Sequence, residues 1–519
     1  MELVQTLYKL FLSIGAVLVL GSVIRLYESL VKKPASVRAR LRKQGITGPP
    51  PTVLLGNILE VKKCLSTSAK EITAAAPPIT HDYADCLLPF LPQWRKKYGK
   101  FFMFAFGNKQ ILHVARADLV KEITKSTSIN LGRPSHNQKE MGPLLGEGIL
   151  TSNGPLWQYQ KKILGPELHM DKIKGMVHLI WESTNVVLDS WKSRIEAEGG
   201  VVADIYIDQD LLEISGDVVA KACFGSNFAK GKEIFSKLCT LKEAISQRIF
   251  SIGLPGVRYL PTENNREISR LQKEVHALIL KVVKERNESG QVHRDFLQTV
   301  IQGSKNSNFS PRGGVEHFIV DNCKNIYSAA QETVAVSASW CLMLLASNPE
   351  WQDRVRAEVL QIWGAQIPDF DMLRKAKLLT MVIQETQRLY PLAVAFSREA
   401  LEDLKIGGIE IPKGVGLWMM VSELHTDPET WGPDSYEFKP DRFANGISGA
   451  CKLPQSYMPF GFGPRQCLGQ NLAMLELKLI IGLVLSNFSF RLSPKYIHSP
   501  IMKLTIEPKY GIHLSLKKL

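Results

Sequence analysis

Five long stretches repeat apolar residues at a spacing close to 3.6 and predict amphipathic helices: Ile173 to Glu198, Arg266 to Arg286, Val315 to Ser347, Pro349 to Trp363 and Leu468 to Leu485. Strand-like segments are short and clustered: Phe101 to Phe106 with Gln110 to Ala115, then Leu404 to Ile411, and the C-terminal Lys503 to Leu516. The Phe101–Ala115 pair, joined by Gly107-Asn108-Lys109, reads as a hairpin. The pattern predicts a mainly α body with a small β subdomain. Residues 52–519 show no Gly/Ser linker, low-complexity tract or repeat, so one large domain is expected there.

The first fifty residues have a different pattern. Leu7 to Ile24 is an apolar run of eighteen residues whose single charge, Lys9, lies near its start and can snorkel to headgroups. No small-x-small cleavage site follows, so residues 1–30 read as an uncleaved transmembrane anchor rather than a signal peptide. Next come Lys32, Lys33, Arg38, Arg40, Arg42 and Lys43 with no acid among them, a basic collar that the positive-inside rule keeps cytosolic. Gly48-Pro49-Pro50-Pro51 cannot continue a helix and reads as a stiff hinge, closing a segment of residues 31–51.

Charge adds little beyond this collar. The net charge is +14, six of it in the collar and the rest spread out, which suits a membrane surface and an acidic partner and gives no nucleic-acid footprint. The eight cysteines include no C-x-x-C pair and no regular framework, which argues against structural zinc and against a disulfide-stapled domain. Most are expected to be small buried hydrophobes.

One cysteine stands apart. Phe460-Gly461-Phe462-Gly463-Pro464-Arg465-Gln466-Cys467-Leu468-Gly469 is a Gly/Pro-rich turn feeding a predicted helix. At a helix N-terminus the dipole favours thiolate over thiol. Unpaired N–H groups after Cys467 can point at sulfur, and Gly469 lets the backbone approach a flat cofactor. Arg465 is placed to pair with an anionic group. A dinucleotide fingerprint would need a third glycine where Gln466 stands.

The pattern F-x-x-G-x-R-x-C-x-G, met by Phe460, Gly463, Arg465, Cys467 and Gly469, resembles the haem-binding loop of the cytochrome P450 family. The resemblance runs from the proline hinge to the C-terminus. It implies a triangular helical body holding haem b (heme b, with its iron) between two long helices, and Cys467 as the metal ligand. Glu385 and Arg388, on one helical face, together with Arg442 of Phe438-Lys439-Pro440-Asp441-Arg442-Phe443, resemble the family's structural salt-bridge cluster. Ala329-Ala330-Gln331-Glu332-Thr333 resembles its oxygen-binding stretch, with Thr333 and Glu332 as the catalytic pair that delivers protons. Ala330 stands where glycine is usual, which would narrow the oxygen pocket. Trp157 and Lys161 resemble the W-x-x-x-R helix with lysine for arginine, a cation without the bidentate fork. Arg398 matches a further haem-carboxylate arginine. His425, in Leu424-His425-Thr426-Asp427-Pro428, is assigned to packing and surface hydrogen bonding.

The resemblance therefore implies a monooxygenase that uses O2 and NADPH. No nucleotide motif is visible, so the electrons are expected from a separate NADPH-dependent flavoprotein (NADPH-cytochrome reductase), docking on basic residues such as Lys161, Lys162, Lys452 and Lys478. The whole chain is similar to the plant microsomal branch that includes gibberellin oxidases and triterpenoid hydroxylases. That likeness points to a lipophilic terpenoid substrate and to the endoplasmic reticulum membrane, with residues 52–519 facing the cytosol. Apolar residues at Leu144 to Leu150 and Leu392 to Phe396, with Tyr327, Ser328 and Gln331 as polar points, are the expected substrate contacts. Competing classes are a haem-thiolate isomerase or dehydratase that needs no reductase, and a non-catalytic haem-binding protein. Three glycosylation triplets, beginning at Asn287, Asn308 and Asn487, offer a check on orientation.

Overall fold

The computed structural model describes residues 2–71, 79–126, 129–225, 228–246, 259–288, 295–305, 314–364 and 366–519. The apolar run forms α1 (Glu2–Tyr27). One π-helical turn over Glu28–Lys32 carries it without a break into α2 (Lys33–Lys43). The apolar window of this continuous helix has a mean hydropathy of 2.1, and none of it is buried against the body, which makes it a candidate membrane anchor.

The basic collar is not wholly solvated. Arg38 is buried and donates to the carbonyls of Pro49 (2.6 Å) and Gly48 (3.3 Å) and to Gln110 Oε1 (3.3 Å). Burial, with help from Arg42, lowers its pKa to about 10, so it stays charged at neutral pH. The proline segment cannot pair these carbonyls within a helix, so a collar arginine caps them and fastens the hinge to the body.

The body's sheet begins with β1 (Phe101–Phe106) and β2 (Lys109–Val114), paired from Phe101↔Val114 to Phe106↔Lys109. The loop is therefore Gly107-Asn108, one residue shorter than expected, and Gly107 supplies the positive φ (+56°) that this tight turn needs. Further along lie β3 (Leu131–Gly132), β4 (Ala203–Tyr206), β5 (Ala395–Ala400), β6 (Leu404–Ile406), β7 (Ile409–Ile411), β8 (Gly416–Met420), β9 (Phe488–Leu492), β10 (Pro500–Met502), β11 (Ile506–Pro508) and β12 (His513–Lys518). The main sheet has the order β1-β2-β8-β5-β3, a second has β4-β12-β9, and β6-β7 and β10-β11 are separate two-stranded ribbons. The single strand expected over Leu404–Ile411 is thus a hairpin, turned by Gly407 (φ +56°) and Gly408 (φ +80°). The expected C-terminal strand over Lys503–Leu516 is likewise divided between β11 and β12, and β11 turns back through Lys503–Thr505 to pair with β10, which precedes it.

The main body helices are α3 (Gly154–Leu164), α4 (Val177–Ala197), α5 (Asp208–Phe224), α6 (Phe228–Ser246), α7 (Glu263–Glu288), α8 (Gly314–Ser347), α9 (Pro349–Ile362), α10 (Lys377–Leu389) and α11 (Gln470–Asn487). All five expected helices are present with shifted ends. The largest shifts are at α4, preceded by separate short turns over Met170–Met176, and at α7, which starts at Glu263 rather than Arg266; α11 starts at Gln470 rather than Leu468. Helix α8 is buried continuously from Val334 to Ala346 and packs on α5, α10 and α11. It is apolar enough to span a bilayer, but 78% of its apolar window is buried, which identifies it as the core helix of the body. Between Ser328 and Thr333 the same helix is only half-buried, because there it borders a cavity.

Candidate active site

A cavity of about 350 Å³ lies between α8 and the loop that precedes α11, and Cys467 opens onto it. The loop is held by its own backbone: Cys467 N–H donates to Phe460 O (2.8 Å) and Gln466 N–H to Gly463 O (3.1 Å). Gly461 (φ +75°) and Gly463 (φ +62°) make this return possible. Because the Cys467 N–H is tied back to Phe460, the helix cannot begin until Gly469 caps it, and the sulfur sits just outside the helix rather than in its first turn. Burial consequently raises the thiol pKa, and the Gly469 N–H aimed at sulfur only partly offsets that rise. Deprotonation would accompany metal coordination.

Cations surround the rest of this wall. Arg133, Lys161, Arg398 and Arg465 all line the cavity, and among the described residues none has a carboxylate within ion-pair distance. Arg133 Nε is buried without a partner. Burial, reinforced by Arg133 and Arg465, pushes Arg398 well below its ordinary value, and its guanidinium donates to Ser397 O (3.0 Å). Arg465, lowered to about 9 by burial and by Arg133, donates to Ser152 O (3.0 Å) and Asn153 Oδ1 (2.7 Å) and stacks over Trp157 at 4.3 Å. Lys161 donates to Pro464 O (2.7 Å), so the lysine found where arginine is usual steadies the cysteine loop.

Buried, mutually repelling cations are costly without anions, and a flat ring carrying two carboxylates would supply them. A methyl group added at Gly469 would meet no protein atom within 4 Å except Cys467 Sγ, at 4.0 Å, so that face is open to the cavity. The donor set and the open glycine face fit haem. Arg133 was missed in the sequence, since one basic residue in Leu131-Gly132-Arg133-Pro134 looks like any solvated charge.

The opposite wall divides the expected oxygen-site residues. Ala329, Ala330 and Thr333 line the cavity, and Thr333 Oγ1 donates to Ala329 O (2.6 Å) inside the helix. Glu332 does not line it. Neighbouring helical residues point about 100° apart, and Glu332 is turned to α6, where Lys242 holds its carboxylate. The expected polar substrate contacts also face elsewhere: Tyr327 stacks on Phe224 at 4.0 Å, Gln331 donates to Leu212 O (3.3 Å), and Ser328 Oγ is buried without a partner. Leu144 is core, whereas Ile149, Leu150, Leu392, Ala393 and Phe396 do line the cavity. Of the four lysines expected to dock a partner, Lys162 and Lys452 are exposed, while Lys161 and Lys478 turn inward, the latter donating to Leu373 O (2.9 Å).

Glu476, on α11, lines the cavity, and Ser215 donates to its Oε1 (2.6 Å). Burial raises its pKa to about 8. Relative to an unfolded value of about 4.3, the folded state holds the extra proton, so stability should fall as pH rises from about 4.3 towards 8 and level off above it. Glu476→Gln is expected to flatten that decline and to exceed the wild type in stability above pH 8, as read by urea midpoints across pH; parallel curves would refute it.

Behind the loop, Glu385 and Arg388 are fully buried and paired (Nε to Oε2, 2.6 Å; Nη2 to Oε1, 2.8 Å). Arg442 lies 3.5 Å from Glu385 and donates mainly to Asp434 and Trp431 O. His425 is buried rather than at the surface: its Nε2 accepts from Met458 N–H (2.9 Å), and its Nδ1 bonds Arg388 O (3.2 Å). Burial, with Arg388 adding to it, drops its pKa to about 3, so it is a neutral spacer that sets the start of the cysteine loop.

The cytochrome P450 family model matches residues 83–514. The chain is 49% identical to cytochrome P450 714C2 of Oryza sativa subsp. japonica over 95% of each protein. It is 44% identical to cytochrome P450 714B3 of Zea mays over 98% of this chain and 96% of that one. It is 43% identical to cytochrome P450 714A2 of Arabidopsis thaliana over 94% of both. With a cysteine loop, a ring of unmatched cations and a buried helix across one cavity, and with this similarity along almost its whole length, the chain belongs to the cytochrome P450 family of haem-thiolate monooxygenases.

Proposed function

We propose that this monooxygenase hydroxylates or epoxidises a lipophilic terpenoid, either a gibberellin-type diterpenoid acid or an oleanane- or ursane-type triterpenoid. The observation that carries this reading is the apolarity of the substrate-facing wall: Ile149, Leu150, Ile326, Leu392, Phe396 and Leu504 line it, and the polar side chains expected there point away. A rigid hydrocarbon skeleton gains burial on such a surface and loses little conformational freedom.

Cys467 would ligate the iron, with the Gly469 N–H tempering the sulfur's charge. Arg133, Lys161, Arg398 and Arg465 would hold the two haem carboxylates, Phe460 and Trp157 would flank the ring, and Ala329 and Thr333 would border the oxygen site. When bound, haem b supplies reductive activation of O2, favoured by thiolate donation. Electrons would come from NADPH through a separate flavoprotein reductase that approaches the exposed Lys162 and Lys452. Residues 1–30 would anchor the chain once in the endoplasmic reticulum membrane, and residues 31–51 would hold the 52–519 body on the cytosolic side. That orientation leaves the asparagines of all three glycosylation triplets unmodified; Ser289 and the whole Asn308 triplet lie outside the described residues.

In microsomes with a co-expressed reductase, such terpenoids are expected to shift the Soret band on binding. They should also yield products heavier by one oxygen atom, with strict NADPH dependence. Binding shifts from neither terpenoid class would sink the substrate assignment; turnover without NADPH would sink the reductase assignment.

A further inference from the structure

We propose that Thr505, in the turn between β10 and β11, is the port through which protons enter the cavity, with Glu507 and Glu332 behind it as the relay. The proposal rests on the monooxygenase activity, which consumes protons on each turnover. It begins from the placement of the two residues that sequence reasoning assigned to this task. Thr333 reaches the cavity, but its hydroxyl proton is committed to Ala329 O (2.6 Å), and Glu332 lies off the cavity against Lys242.

Thr505 joins the two regions. It lines the cavity, and its Oγ1 lies 2.9 Å from Glu507 Oε1 and 3.2 Å from Glu332 Oε1. A hydroxyl has one proton to donate and lone pairs with which to accept. Between two acids it can donate to one and accept from the other, which is the arrangement of a proton relay. Glu507 continues the chain outward: its Oε2 lies 3.1 Å from Lys503 Nζ, and its Oε1 3.4 Å from Lys242 Nζ. Exposure rises along the same line, from 12% for the Glu507 side chain to 39% for Lys503. The path therefore runs from solvent at Lys503 to Glu507, on to Glu332, and from Glu332 through the Thr505 hydroxyl to the cavity.

The charges around the relay separate its two acids. Burial and the neighbouring Glu507 raise the pKa of Glu332, while the ion pair with Lys242 opposes the rise. Burial opposes ionisation of Glu507 as well, but Glu332, Lys242 and Lys503 together hold it below the ordinary carboxylate range. The groups facing the pair are Lys242 and Cys239 on α6 and Lys503 in the turn. The bookkeeping closes: the Glu332 carboxyl proton passes to Thr505 Oγ1, the hydroxyl's own proton passes to an acceptor in the cavity, and solvent reprotonates Glu332 by way of Glu507. One proton enters for each one delivered. Glu476 also borders the cavity, but it is buried and accepts from Ser215, so it shows no comparable route to solvent.

Two measurements on the full-length holoenzyme test this. With reductase and substrate, Thr505→Val is expected to raise the ratio of hydrogen peroxide to product on the order of 10-fold, and Thr505→Ser to restore it. Independently of turnover, infrared titration in H2O and D2O should show a protonated-carboxyl band that disappears in Glu332→Gln. In Glu507→Gln its midpoint should move to lower pH, because the like charge that raises Glu332 has gone. A Thr505→Val enzyme with normal coupling, its thiolate spectrum and substrate-binding shift intact, would overturn the port and leave the monooxygenase reading standing. A Glu332 band that Glu507→Gln leaves in place would overturn the relay even if Thr505→Val failed to fold.

Discussion

Replacing Cys467 with serine is expected to abolish oxygenation while leaving the body folded. The loop's shape depends on backbone bonds, Cys467 N–H to Phe460 O and Gln466 N–H to Gly463 O, and neither involves the side chain. A thiolate here would donate electron density to the iron of a bound haem, which favours O–O cleavage, and a serine oxygen would not. The reduced, carbon monoxide-bound protein should therefore lose the long-wavelength Soret band of a thiolate ligand, and product formation should fall to background at an unchanged urea midpoint. A second cysteine makes the experiment discriminating. Cys223 also borders the cavity, but it is buried, and desolvation lifts its pKa to about 12. Cys223→Ser should leave the thiolate band in place. Persistence of that band in Cys467→Ser, with its loss in Cys223→Ser, would transfer the ligand role to Cys223.

What could be read in the sequence depended on whether the information was local. The cysteine loop is local: five fixed residues in ten, with glycines that the backbone needs at positive φ. The long helices were legible because their 3.6 spacing survives burial, although α8 shows how a mostly buried helix resembles a membrane span until its neighbours are known. The strands were less legible. The Gly407-Gly408 pair is a hairpin signal that the alternation across Leu404–Ile411 masked. Side-chain direction was harder still. Glu332 and Thr333 are adjacent in sequence, yet one helical step sends one to Lys242 and the other to the cavity. Arg133, Glu476 and Thr505 reach the cavity from three distant segments, and nothing near them in sequence marks that role. The burial of the collar's Arg38 was hidden for the same reason, because its carbonyl partners lie ten and eleven residues on.

The largest stability loss is expected from Arg388→Ala. Removing one partner of a fully buried ion pair costs about 3–5 kcal/mol, because the charge left behind cannot be hydrated. Glu385 would keep Lys439 N–H (2.8 Å) and Arg442 at 3.5 Å, which softens the loss without removing it. The pair alone understates the role of Arg388, whose guanidinium also donates to His425 O (2.9 Å), Ser435 O (2.5 Å) and Glu437 O (3.0 Å). These carbonyls belong to the segment that leads into the cysteine loop, and His425 in turn positions Met458. A double apolar replacement, Glu385→Leu with Arg388→Met, separates the two roles. Replacing a buried ion pair by packed hydrophobic residues is often neutral, whereas carbonyls left buried without donors cost about 1–3 kcal/mol each. The double variant should therefore remain less stable than the wild type in urea and should release haem faster. Recovery of wild-type stability would mean that Arg388 serves only to neutralise Glu385 and that the carbonyls find other donors.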